Sequence, residues 1–456
     1  MQVQFVQAIK WNTINVFLYK FLLQTHQACL FYVISKELFG ISGTIFSFIY
    51  FFISLTNFGF DYSLFSFYQY YSSSQKHFKS LIQQYIGRLI VSCIIVACCC
   101  LIGIFGIHIP MIDFFLSNVP YKLLPFIASI FITESLKKSL EILAQLSFLN
   151  KSITILEIGT ILTYLTILWS SYFIRGSIDL YSIFIPMAFT SAFELTLLIK
   201  RLYLFYRTLP AYATTQLHIP QRKYILTNQA INYINQVAKA LFSPNFLILF
   251  LAYNVGMVRA GYIKLFTDIV ILLYMLLNRS IAIPSGALLS KLPRVSSLDQ
   301  LMIKDTFLKI TNAYIQLLYV LAAAITAAIT PCILKSSCFH PIIIMNILLF
   351  IFAAFVEYLV ITYEKLYITQ HASNYLALIN AISMSCLAVA LYHTTSLPKY
   401  VILIPIILIR FVTVCIIAWV AYKKWFIFPE LKPKHKTILI ALLTSIGCLG
   451  VHYFIK

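Results

Sequence analysis

Apolar runs of about twenty residues, the length that crosses a hydrocarbon core as a helix, follow one another through nearly the whole chain. They fall at approximately 11–33, 41–68, 83–108, 123–149, 152–174 and 179–204, then at 225–252, 261–289, 306–334, 340–368, 373–393 and 399–422, with a last one at 436–454. A chain patterned in this way has no water-soluble solution. Of its 456 residues 61% are hydrophobic and 11% charged, less than half the roughly 25% charge of a soluble domain. The expected fold class is therefore all-α, a polytopic membrane protein of 12 or 13 transmembrane helices, and no stretch between the runs is long enough for a soluble domain.

The formal charge of +20 points away from nucleic acid, because the basic residues gather at helix ends and not on one water-exposed face. Lys76 and Lys79 follow the second run, Lys200, Arg201, Arg207, Arg222 and Lys223 flank the link after the sixth, and Lys291 and Arg294 follow the eighth. Lys423, Lys424, Lys432, Lys434 and Lys436 follow the twelfth, whereas the alternate loops hold only Lys36, Arg175, Lys335 and Lys399. The positive-inside rule then places the N-terminus in the cytoplasm of an inner (plasma) membrane. No cleavable signal peptide is evident, since Lys20, Gln24, His26 and Gln27 interrupt the first run. Most of the ten cysteines sit inside apolar runs as small fillers, and only Cys332 and Cys338 are placed to pair.

The polar link at 205–224 divides residues 1–204, with six runs, from residues 225–425, with six more; 426–456 adds an extra helix. Two pseudo-symmetric six-helix lobes are expected. A shift of 221 positions superposes Gly40 on Gly261 and brings Lys20 within two residues of the equivalent of Lys239, a weak repeat of the kind that secondary transporters carry. Gly40 and Gly261 provide positive φ or close backbone approach, and Pro284 can bend the eighth helix.

Residues 36–68, KELFGISGTIFSFIYFFISLTNFGFDYSLFSFY, resemble the second-helix region of polysaccharide flippases in the multidrug/oligosaccharidyl-lipid/polysaccharide exporter superfamily. The matching positions are Glu37, Phe39 and Gly40 before the helix and Phe58, Gly59 and Phe60 near its inner end. RAGYIKLF at 259–266 and IPSGALLSKL at 283–292 are similar to the entry and exit of the family's eighth helix, although Ser285 follows Pro284 directly and departs from the usual spacing. The resemblance implies alternating access, with the first, second, seventh and eighth helices around a central cleft. It also implies a lipid-linked oligosaccharide as substrate, O-antigen type polysaccharide biosynthesis as the setting, membrane lipids and polysaccharide polymerase machinery as partners, and no cofactor.

An ionisable side chain within the bilayer is expensive and by default functional. Lys20 shares the first helix with Asn12, Asn15, Gln24 and Gln27; Lys239 shares the seventh with Asn228, Asn232, Asn235 and Gln236; Lys264, Asp268 and Arg279 lie in the eighth and Asp61 in the second. Lys20, Gln24, Asp61, Asn235, Lys239, Asp268 and Arg279 are the candidate substrate-binding residues: cations for a pyrophosphate, amides for sugar hydroxyls. Lys20 and Lys239 have no acidic residue within a helical turn. Snorkelling or structural pairing is the plainer account of Lys264 and Arg279. In the fourth helix, spacing pairs Glu134 with Lys138 and Lys137 with Glu141, an internal ladder. A coupling proton or sodium ion would need a buried carboxylate, and Glu157, Glu194 and Glu357 stay open as hosts, with Arg410 a further lone charge. A drug or small-solute antiporter of the same superfamily is the competing transporter, marked by buried carboxylates in place of a cationic cavity. A polytopic glycosyltransferase or polymerase would need a large external loop carrying a base, which the chain lacks, and no P-loop marks an ATP-driven pump.

Overall fold

The computed structural model describes residues 2–56, 58–104, 117–212, 222–258, 260–261, 264, 372–394, 403–425 and 437–443, with isolated positions between 305 and 368. Every regular element among them is helical, as bilayer solvent requires of a chain that must satisfy its backbone internally. The elements are α1 (Gln2–Asn15), a π turn (Val16–Lys20), α2 (Phe21–Val33), α3 (Lys36–Leu55), α4 (Phe60–Tyr71), α5 (Gln75–Ile104), α6 (Leu124–Leu146), α7 (Asn150–Arg175), α8 (Leu180–Thr208), α9 (Arg222–Leu241), α10 (Pro244–Val255), α11 (Ser373–Thr394) and α12 (Leu403–Trp425). Five of these, α3, α7, α8, α11 and α12, have the length and apolarity of membrane spans, and α9 with α10 forms a sixth bent by 48°. The protein is an all-α polytopic membrane protein. The expected helices at 261–289, 306–334 and 340–368, the bend at Pro284 and the pairing of Cys332 with Cys338 lie outside the described residues, apart from isolated positions.

Local chemistry sets the breaks. Ser35 caps α3 by accepting from the Leu38 amide, and Asp179 caps α8 by accepting from the Ser182 amide at 2.7 Å. Ser243 accepts from the Phe246 amide and Pro244 occupies the first turn of α10, so the apolar run at 225–252 is two helices meeting at an angle. The run at 41–68 is likewise not one helix. Phe58 and Gly59 both adopt positive φ, 50° and 70°, and end α3 before α4 begins. Hydropathy is blind to this break because the residues around it are as apolar as a helix.

The core of residues 2–208 is a layered helix packing. Phe39, Ile45, Ile49, Ile53, Ile130, Phe131, Leu168, Ile183 and Phe184 join α3, α6, α7 and α8, while Phe65, Tyr71, Phe78, Leu140 and Leu202 join α4, α5, α6 and α8 at the end bearing the 205–224 link. The second half of the chain packs on the first through glycine. A Cβ on Gly40 would overlap the Met257 carbonyl, and one on Gly261 would lie 2.8 Å from the Gly40 Cα. The two glycines paired by the sequence repeat thus touch each other, by close approach and not by positive φ. At the other end of α3 a Cβ on Gly59 would overlap the Gln229 carbonyl of α9.

Candidate functional site

Helix α6 carries the charges. Lys137 Nζ lies 2.6 Å from Glu134 Oε1 and 3.0 Å from Glu194 Oε2 on α8, and Ser191 donates to Glu134 at 2.6 Å. The ladder expected from spacing is not formed. Lys137 takes both carboxylates because α8 packs against its face of α6, bringing in a residue that lies 57 positions away in the chain. Glu141, one turn on from Lys137, turns to the same side. Its carboxylate oxygen, with one each from Glu157 on α7 and Glu194, forms a group whose members all lie within 4.8 Å of one another. All three residues are buried. Asn15, the last residue of α1, donates its amide to Glu157 Oε2 just before the π turn begins. Four buried carboxylates from three helices therefore gather on this side of α6, two of them on Lys137, with the first helix attached through Asn15.

A second group lies beside the first. Asp61 accepts from Ser139 at 2.7 Å, and Arg88 of α5 donates to Ser139 Oγ, to the Ser135 carbonyl at 3.1 Å and to Ser135 Oγ at 3.3 Å. The Arg88 guanidinium also sits 5.7 Å from the centre of the Phe60 ring. Polar positions along α6 thus serve two faces, carboxylates on one and the serines that hold Asp61 and Arg88 on the other.

A third group spans the junction of the two halves. Gln236 donates to the Ser54 carbonyl at 2.7 Å, and the Phe58 and Tyr233 rings stack at 5.4 Å. Asn232 donates to Asn228, Asn235 to Asn232, Asn380 of α11 to Asn235 and Arg410 of α12 to Asn380, a run of bonds that satisfies buried amides across three helices. Lys239 Nζ lies 3.4 Å from Glu364 Oε2.

Two solved structures share this arrangement of helices. The chain resembles the eukaryotic MATE transporter AtDTX14 at a TM-score of 0.56, over 98% of this chain and 99% of that one, at 12% identity. It resembles a mutant of the Vibrio cholerae MATE transporter VcmN at a TM-score of 0.58, over 92% and 96%, at 13% identity. The chain has the MATE fold. No protein-family model matches the sequence, and no curated protein matches it.

Within this MATE fold the expected site residues separate. Asp61 is buried among α4, α5 and α6. Asn235 is fully buried, and its amide is engaged by Asn232 and Asn380. Lys239 keeps 28% side-chain exposure, and the acidic partner absent from its own helical turn is supplied by Glu364, 125 positions on. Gln24 is half-buried on α2. Lys20 closes the π turn, and its side chain lies outside the described residues, as do Asp268, Arg279 and Glu357. Lys264 is buried with its stem against Gly43, where a Cβ would stand 2.6 Å from Lys264 Cδ. Sequence reasoning misses Arg88 and Glu364. Arg88 carries a signal, a lone arginine within an apolar run; Glu364 sits at the end of its run and reads as an interfacial charge.

Proposed function

We propose that this protein is a cation-coupled transporter that works by alternating access, exchanging a proton or sodium ion for an exported solute. The observation that carries the reading is the carboxylate group of Glu141, Glu157 and Glu194, one oxygen from each lying within 4.8 Å of the others. Glu134, Glu141, Glu157 and Glu194 are all buried, and among the described residues Lys137 pairs with Glu134 and Glu194. Three carboxylate oxygens this close together in a medium of low polarity form a place where a cation can bind. Such a cluster changes its charge when an ion enters, and Asn15 joins it to helix one. Buried carboxylates are the mark of the small-solute antiporter, and the MATE fold supports that reading. A lipid-linked oligosaccharide is the second cargo considered, with the partly exposed Lys239 as the cation that would meet its phosphates.

The test is transport by purified protein in proteoliposomes. A sodium or pH gradient should drive movement of the cargo, offered in parallel as an organic dye and as a polyprenyl-pyrophosphate sugar. Glu157→Gln and Glu194→Gln should remove the gradient dependence. Movement of either cargo at the same rate with and without both gradients would reject coupling.

A further inference from the structure

The faces of α6 and α7 that carry the carboxylates do not stop at them. Gln145 follows Glu141 by four residues on α6, and on α7 Asn150 and Thr154 precede Glu157 by seven and three. Those spacings keep side chains on one face of a helix, with about 6 Å of rise from Glu141 to Gln145 and about 10 Å from Glu157 to Asn150. Gln145, Asn150 and Thr154 are all buried. Their helices meet at a tight turn, where the Phe148 amide donates to the Gln145 carbonyl at 3.0 Å and the Leu149 amide to the Ala144 carbonyl at 2.9 Å. Gln145 and Asn150 therefore flank one turn, at the end of the bundle bearing the 205–224 link.

Three polar atoms at this turn, Asn150 Oδ1, Asn150 Nδ2 and Gln145 Oε1, are enclosed and have no hydrogen-bond partner among the described residues. A buried amide left in that state bears the full cost of its lost hydration, and lipid offers it no replacement. Water entering from the nearby surface supplies both the donors and the acceptor that these atoms need. That surface is close: Lys151, next to Asn150, is exposed, with its ammonium 5.6 Å from the centre of the Trp11 ring. One turn deeper the Thr154 hydroxyl donates to the Trp11 carbonyl at 3.1 Å, so α1 lies along the same route. Uncharged amides hold a small cation weakly, which suits residues that pass an ion on to carboxylates.

We propose that Gln145 and Asn150 line a hydrated passage from the link-bearing end of the bundle to Glu141 and Glu157, the route by which the coupling sodium ion or proton reaches the carboxylate group. The passage rests on the coupled-transport reading above and gives that site its side of access. A sodium ion sheds part of its water shell against the two amide oxygens, and a proton moves along water that they hold. In both cases the amides govern how fast the ion arrives and leave its affinity to the carboxylates.

Two measurements on the full-length protein test the passage. Radiolytic hydroxyl labelling in nanodiscs marks side chains that adjoin water. Leu146, next to Gln145, and Ile153, one turn past Asn150, are buried in one cluster and should be labelled about fivefold faster than Leu168 and Ile183, which are buried elsewhere. A double variant carrying Gln145→Leu and Asn150→Leu should lose that excess. In proteoliposomes it should slow gradient-driven transport about tenfold, while affinity for the driving ion, from sodium titration calorimetry and from proton release, stays within about twofold. Serine at both positions still holds water and should keep most of the rate. Slowing under a sodium gradient alone assigns the passage to sodium, and slowing under a pH gradient alone assigns it to the proton. Wild-type labelling of Leu146 and Ile153 no faster than that of Leu168 overturns the passage, whether or not the variants fold. So does an unchanged transport rate in the leucine variant, or a loss of rate matched by an equal loss of ion affinity. Wild-type transport that ignores both gradients overturns the coupled-transport reading and the passage with it; absent labelling with coupling intact overturns the passage alone.

Discussion

At the scale of single residues, the decisive positions are those where one atom more or one charge fewer cannot be absorbed. Lys137 is buried and bridges Glu134 and Glu194, so Lys137→Met leaves two carboxylates facing each other. Breaking a buried pair from one side costs on the order of 3–5 kcal/mol, and the variant should show a sharply reduced melting temperature in detergent. Gly59 combines a φ of 70° with the Gln229 carbonyl pressed against it. Gly59→Ala should cost about 1–3 kcal/mol, more than alanine at Gly87, where no atom lies within 4 Å of the added carbon. Melting curves of the two variants side by side give the comparison. Glycine at 59 and lysine at 137 are visible in the sequence, but their partners are remote in the chain: Glu194 and Gln229 enter only through helix packing.

Among elements, the interruptions matter more than the helices. The π turn Val16–Lys20 inserts one residue into helix one directly after Asn15, and such bulges recur at functional sites because they re-aim neighbouring side chains. Deleting Phe17 should convert the turn to regular α-helix and remove the local widening that follows Asn15. The expected outcome is transport lost with protein abundance retained, read from proteoliposome assays and from the amount of purified protein. The cap of α8 gives a pH dependence of known sign. Partial burial raises the Asp179 carboxyl, but hydrogen bonds from the Ser182 hydroxyl and amide outweigh it and hold the carboxyl below its ordinary value. Its stabilising contribution is therefore complete above the usual carboxylate range and is lost as pH falls through the lowered value. Asp179→Asn should show a smaller loss of melting temperature between neutral and strongly acidic pH than the wild type. Capping residues of this kind can be read locally; the π turn cannot, because no residue type marks it.

For the molecule as a whole, transport by rocking halves requires that contacts between them be made and broken. Phe58 against Tyr233 and Gly40 against Gly261 lie at opposite ends of α3, and both cannot persist through such a cycle. Cysteines at Phe58 and Tyr233 joined by a short bifunctional thiol reagent should stop transport, and a reductant that cleaves the link should restore it. Full transport by the linked protein would show that this contact does not open.

The sequence by itself determined the class of fold, because about twenty apolar residues in succession have one stable arrangement in a bilayer, and it placed the charges that a membrane makes conspicuous. It also singled out Gly40 and Gly261, which touch each other in the fold. What only the tertiary structure decided was the pairing. Within one helix the i, i+4 rule offers Lys138 to Glu134 and Glu141 to Lys137, but a neighbouring helix supplies Glu194 to Lys137. The same holds for Lys239 and Glu364. In a medium without water to screen or solvate them, buried charges take whatever partner helix packing brings nearest.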